Sequence, residues 1–272
     1  MGPSLRDVRV FAFAALVIAA FPMVANGCDE LRDGPRATVT AVRDGDTVLL
    51  DTGEEVRLVG TQAPKLPLGR EGFETWPFAD EAKDALEKIV LRKDVILRYG
   101  GEEMDRHGRI LAQIFVVGAG GEVWAQEEML AEGMARVYSF PDNRFCLTEL
   151  FAAEGKARAM KLGIWTDPYY SVRRADRPDD LLDLVGHYEL VEGRVLLADR
   201  SGQQVYLNFG RSWKEDFTAV IDARSLKLFA GSGLDPLVLG GALVRVRGWV
   251  EDYDGPRIEV THPEQIEVLA TR

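Results

Sequence analysis

Asp44-Gly45-Asp46 separates two β-rich runs, residues 37–43 and 47–51. An Asp-Gly step between such runs is among the strongest hairpin signals a sequence carries. A third run, 55–58, resumes after the turn at Gly53. Residues 78–91 then place apolar side chains at Phe78, Ala82, Ala85, Leu86, Ile89 and Val90, a stripe of helical period. Strands over 95–99 and 110–117 flank a turn at 105–109. A helix over 125–132 stops at Gly133, and a last helix runs from an Asn143 cap to Lys161. Five strands with helices between them predict a mainly β fold, a small Greek-key barrel of the OB type.

The chain has 272 residues, room for two domains of ordinary size behind a leader. We place the first domain over 36–168 and the second over 179–272, with a charged linker at 173–178 between them. In the second, strands are expected over 188–198, 204–208, 217–221, 244–250 and 258–261, with a helix over 223–230. Three strands, a helix and two strands repeat the OB order. Arginines and aromatics lie close together in Asn208-Phe209-Gly210-Arg211 and in Arg245-Val246-Arg247-Gly248-Trp249. Such mixtures suit a single-strand binding face, but alternation with apolar residues equally suits a half-buried strand. The five tryptophans read as packing residues.

The N-terminus, 1–28, reads as an export signal, with Arg6 and Arg9 ahead of an uncharged, mostly apolar run over 10–27. Small residues before Cys28 approximate a lipoprotein processing site, which Asn26 fits poorly. The protein is therefore expected to be exported: periplasmic, secreted, or held at a membrane through lipid on Cys28. Cys146 is the one other cysteine, and it would be left free if Cys28 carried lipid. The formal charge is −11, with 17 Lys+Arg against 23 Asp+Glu over 36–170 and 13 against 17 over 171–272. Neither half is a basic module, so any nucleic-acid contact rests on a local cluster.

That cluster is Asp44-Gly45-Asp46-Thr47, then Arg57 in Val56-Arg57-Leu58-Val59-Gly60, then Asp105-Arg106-His107-Gly108-Arg109. Two arginines and a carboxylate are the parts phosphoryl chemistry uses, since catalysis there is mostly positioning and charge neutralisation. With Gly163-Ile164-Trp165 closing a helix, the order and spacing over 39–165 resemble the staphylococcal nuclease (thermonuclease) family. The resemblance implies that Asp46 binds calcium and that Arg57 and Arg109 grip the scissile phosphate. It also puts Tyr138 and Phe140 near the positions of base-stacking tyrosines and His107 in place of a turn tyrosine, where it would touch phosphate weakly.

Two positions depart from the family. Gln62 stands where a second calcium-binding aspartate is expected, and Lys65 where the catalytic glutamate is expected. Gln62 still offers a carbonyl oxygen, but an ammonium at Lys65 cannot take a proton from water. Loss of a positioned base costs about 10²–10⁴ in rate. Calcium binding is accordingly expected to be weak. Glu71, Glu74 or Glu81 would have to swing in as a substitute base, or Lys65 would take over the metal's charge beside Arg57 and Arg109. Two readings follow: an exported nuclease hydrolysing DNA or RNA with altered metal dependence, or a catalytically silent nuclease fold that binds nucleic acid or a protein partner in the cell envelope.

Overall fold

The computed structural model describes residues 28–271; the apolar run read as an export signal lies outside the described residues. Strand β1 (Arg32–Asp44) turns into β2 (Thr47–Leu50), and β3 (Glu55–Leu58) and the short β4 (Gly60–Gln62) follow. After a long loop come α1 (Ala79–Val90), β5 (Asp94–Tyr99), β6 (Ile110–Gly118), β7 (Gly121–Trp124), α2 (Ala125–Ala131), β8 (Arg136–Tyr138) and α3 (Leu147–Ala159). Strand β1 pairs antiparallel with both β2 and β5, β2 with β3, and β5 with β6, while β3 runs parallel to β6. The ring β1-β2-β3-β6-β5, with α1 between its third and fourth strands, is the OB arrangement. Ala82, Leu86 and Val90 form the inner stripe of α1 and belong to the same buried core as Val39, Val48 and Val56.

Gly45 is dictated by this packing. A Cβ there would stand 2.6 Å from the Cβ of Ala63 and 2.8 Å from that of Ala82. The hairpin tip is thus pressed against α1 and the start of the long loop, and a side chain would push them apart.

The rest of the chain builds β9 (Arg173–Arg174), α4 (Pro178–Leu182), β10 (Tyr188–Arg194), β11 (Leu197–Ser201), β12 (Gln204–Asn208) and β13 (Thr218–Ile221). These are followed by α5 (Leu226–Phe229), β14 (Leu243–Asp252), β15 (Pro256–Val260) and β16 (Ile266–Ala270). Here β11 pairs with β12, β12 with β13, β13 runs parallel to β15, and β14 pairs with both β15 and β10. Taken together, β10 and β11 act as one broken first strand, and the order of the first barrel recurs. The expected single strand over 188–198 breaks because Val195 N–H donates to Ala242 O and Leu196 N–H to Asn208 O. Its two halves serve different neighbours. The helix over 223–230 contracts to Leu226–Phe229, where the Asp222 carboxylate accepts from Ser225 N–H at 2.6 Å.

Asn143 does not cap α3. Its side-chain amide donates to Glu102 O at 2.9 Å, and the helix starts at Leu147, after Cys146 in the left-handed region. Cys146 is bonded to Cys28, with their Cα atoms 4.7 Å apart. The sulfur a lipid thioether would need is thereby used, so an anchored Cys28 and this disulfide exclude each other in one molecule. Among the described residues, no helix is long and apolar enough to cross a membrane.

Each barrel has its own apolar core, and polar groups join the two. Arg247 of β14 is 0% exposed and reaches Glu154 of α3 at 2.9 Å and Glu267 of β16 at 2.5 Å. It also donates to Val137 O at 3.1 Å. Burial alone would raise the Glu154 carboxyl, but the Arg247 charge outweighs it and holds the group below its ordinary value. Beside this pair, Ser139 Oγ lies 2.7 Å from His262 Nε2, and Arg144 forks onto Glu264 at 2.6 Å. Arg245 meets Glu192 at 2.8 Å and Glu267 at 3.0 Å. Arg245 and Arg247 therefore belong to ion pairs and present no single-strand binding face.

Removing one partner of a buried pair strands the other. Glu154→Ala should cost about 3–5 kcal/mol, read as a lower urea midpoint. His262 gives a pH signature. Burial, then the nearby Arg144 and Arg247 charges, push its imidazole down to about 3. The folded form keeps the ring neutral while the unfolded chain protonates near the ordinary value, so stability is full above that value and falls as the solution is acidified. The loss by pH 5 should be roughly 2 kcal/mol. Urea titrations across this range should show a shallower decline in His262→Gln than in the parent protein.

Candidate phosphate site

The β1–β2 turn fixes Asp46 by its own geometry. Asp44 Oδ1 accepts from Asp46 N–H at 3.2 Å, an Asx turn that bends the chain inward. The Asp46 side chain ends with 0% exposure, and a bare carboxylate there would be costly. Four groups meet it. Lys65 Nζ is 2.5 Å from Oδ1 and 2.6 Å from Oδ2, Arg57 Nη1 is 2.8 Å from Oδ1, Ala63 N–H donates to Oδ2 at 2.8 Å, and Thr47 Oγ1 lies 3.3 Å away. Burial works to raise this carboxyl, but the charges of Arg57 and Lys65 win and hold it at about 2. Asp44, 3.3 Å from Lys65 Nζ, is pushed the other way by burial and by the neighbouring Asp46 charge.

Arg57 sits opposite Thr47 across the β2–β3 pair. Its fork is turned into the barrel end, with Nη1 donating to Asp46 O at 3.1 Å and to Leu58 O at 3.2 Å, and Nη2 to Thr61 O at 2.8 Å. Arg109 immediately precedes β6, the neighbouring parallel strand, whose first residue Ile110 pairs with Val56. Its side chain folds back onto Asp105, Nε to Oδ2 at 2.7 Å. The same carboxylate accepts from the backbone N–H of His107 at 2.8 Å and of Arg109 at 3.0 Å, which shapes the turn. Asp46, Arg57 and Lys65 are thus in direct contact, while Arg109 lies in the turn just ahead of the adjoining strand, held by a carboxylate of its own.

The remaining expected residues fall elsewhere. Gln62 Oε1 accepts from Arg136 Nε at 2.9 Å across the β4–β8 pair, so the carbonyl expected to face a cation is taken by a guanidinium. His107 is exposed on the turn, its Nε2 accepting from Arg106 Nε. Tyr138 packs edge-on against Phe140 and Tyr188, each with ring centres 4.8 Å away, and its hydroxyl accepts from Trp249 Nε1 at 3.1 Å. Phe140 is exposed beside it. Glu71, Glu74 and Glu81 all face solvent.

The donor set does not fit calcium. The ion wants six to eight oxygens, yet the Asp46 carboxylate already faces an ammonium and a guanidinium, and Gln62 is committed to Arg136. Among the described residues, no group of three or more His, Cys, Asp or Glu side chains gathers as a metal site. Three residues outside the expected set complete the cluster: Asp44 of the turn, Ala63 through its N–H, and Arg136 behind Gln62. An acid two positions before a buried acid was the available signal for Asp44; Arg136 gave none.

A family model described as staphylococcal nuclease homologue matches residues 55–167. Protein ParB of Escherichia coli is 30% identical over 183 residues, 61% of this chain and 88% of that protein. The chain belongs to the staphylococcal nuclease homologue family. It is also similar to the thermonuclease of Staphylococcus hyicus, at 27% identity over 132 residues, 47% of this chain and 75% of that one. The micrococcal nuclease of Shigella flexneri is 27% identical over 179 residues, covering 62% and 90%. Residues 179–272 lie beyond the family match.

The cluster makes a titration prediction. A carboxyl held at about 2 stabilises the fold above its unfolded value of 3.8, and that contribution is lost as pH falls toward 2. Lys65→Met should move the Asp46 titration up toward 3.8, followed by carboxyl-carbon NMR, and should lower stability at neutral pH.

Proposed function

We propose that this nuclease-family protein engages the phosphodiester backbone of DNA or RNA without calcium and has lost calcium-dependent hydrolysis. The single observation that carries this reading is Lys65 Nζ lying 2.5 Å from Asp46, where its charge satisfies the carboxylate that would otherwise attract a cation. Arg57, Lys65 and Arg109 supply the positive groups, each with a partly exposed side chain. Their charge is largely offset by Asp46 and Asp105, so the grip on phosphate is weak and depends on a guanidinium exchanging a carboxylate or carbonyl for a phosphate oxygen. Tyr138 and Phe140 lie one β-pair away from this cluster, since Tyr138 sits opposite Gly60, and would take a base. No carboxylate in the cluster is free to accept a proton from water, and the glutamates of the long loop face solvent. A water held here would lack the base that a fast hydrolysis needs.

Export belongs to the same reading. The Cys28–Cys146 disulfide suits an oxidising compartment, and it favours a released protein over one anchored through Cys28.

The test uses residues 28–272 and a fluorescently labelled single-stranded oligonucleotide. Binding should be the same in calcium and in chelator, and calcium should not raise cleavage. Lys65→Glu would put three carboxylates together at Asp44, Asp46 and position 65, and should bring in calcium binding by calorimetry. Calcium-stimulated cleavage by the unaltered protein would refute the proposal.

A further inference from the structure

The second barrel repeats the strand order of the first, and barrels of this type bind ligands on the face of their second and third strands, between the loops joining strands one to two and four to five. In this chain those strands are β12 and β13, and the four-to-five loop is the β14–β15 turn. A groove of about 340 Å³ lies there. Its floor is built from the outward residues of β12, Gln204, Tyr206 and Asn208, and from Thr218 and Val220 of β13. Two aromatic rings stand at its sides on separate loops: Trp213 is 59% exposed and Tyr253 66%.

Both rings sit on braced backbone. The Asp216 carboxylate accepts from Ser212 N–H at 2.7 Å, and Asp216 N–H returns to Ser212 O at 2.8 Å, closing the turn that carries Trp213. Gly255, with φ +100°, lets the β14–β15 turn approach the Lys214 backbone, where a Cβ would come within 3.1 Å. The two aromatic loops are therefore seated against each other. Trp213, expected as a packing residue, covers no core.

Polar groups of the floor are neutral and only half used. Tyr206 Oη donates to Gln204 Oε1 at 2.6 Å, and Thr218 Oγ1 to Asn208 Oδ1 at 3.4 Å. Among the described residues, neither amide nitrogen has a protein acceptor. The surrounding charge is acidic: the stretch from Glu251 to Glu259 carries Glu251, Asp252, Asp254 and Glu259 against Arg257 alone. Arg257 is itself tied to Glu251 at 2.9 Å and lies 4.3 Å from the centre of the Tyr253 ring. Lys214 Nζ lies 5.0 Å from the centre of the Trp213 ring, so each ring carries one cation, but the four acids of the stretch still leave a phosphate backbone facing net negative charge. A neutral sugar ring suits it: its C–H faces can lie on Trp213 and Tyr253, while its hydroxyls accept from the free amide nitrogens and donate to Asp254.

We propose that this groove binds a neutral oligosaccharide, making the second barrel a glycan-binding module. The inference rests on the second barrel alone and stands apart from the reading of the phosphate site. The test is isothermal calorimetry on residues 28–272 with maltohexaose, cellohexaose and chitohexaose at millimolar concentrations. At least one should bind, and Trp213→Ala and Tyr253→Ala should each weaken it at least about tenfold, the scale of one lost ring contact. Both variants should keep the parent melting temperature, since neither ring is part of a core, and Lys65→Met should leave saccharide affinity unchanged. Three results would overturn the proposal: no binding of any of the three sugars, binding that survives both ring removals, or an oligothymidylate that binds through Trp213 and Tyr253 while no sugar competes.

Discussion

Asp46 has lost all contact with water, and the first barrel is arranged around keeping it charged. Hydration of a carboxylate is worth many kcal/mol, and only opposite charge with donated hydrogen bonds can replace it in the interior. Lys65 from the long loop, Arg57 from β3 and the Ala63 N–H converge on it for that reason. One side chain thereby ties the first hairpin, the third strand and the start of the loop into a single unit. A site that needs an outside cation is pre-formed only when loaded. Here the cation is part of the chain, so the site holds its shape without one and has little left to offer a metal.

Much of this architecture was legible in the sequence because it depends on local pattern. The apolar stripe of α1 and the Asp-Gly turn each report a period or a backbone preference that acts over a few residues, and both elements appear within a residue or two of their expected bounds. The breaks came where a distant partner decides. Asn143 looks like a helix cap, but its amide serves the carbonyl of Glu102, forty-one positions away in sequence. The strand over 188–198 is continuous in propensity and divided in fact, because its two halves pair with different strands. At the site, the contact of Arg57 with Asp46 follows from motif spacing, whereas the diversion of Gln62 depends on Arg136, which no short-range pattern connects to it.

The junction between the barrels has a different physical character from either core. It is made of Glu154, Arg247, Glu267, Ser139 and His262. Apolar surfaces would associate loosely in many orientations, but a buried guanidinium with two carboxylates accepts essentially one geometry. The junction gains definition from this at some expense in stability. The aromatic group of Tyr138, Tyr188 and Trp249 lies at the same seam and draws on both barrels, so the surface beside the Asp46 cluster is shaped by the second barrel as well as the first.

The disulfide gives the first barrel an unusual covalent topology. Cys28 and Cys146 are 118 positions apart, and between them lie Asp46, Arg57, Lys65, Arg109 and the whole loop over 64–77. The part of the molecule that carries the Asp46 cluster is therefore a closed ring of chain, with α3 and the second barrel attached as a tail. A protease that cuts the loop opens the ring without making two pieces. The nicked protein keeps every residue of the cluster on one covalent framework, free to re-form its contacts, for as long as its surroundings stay oxidising.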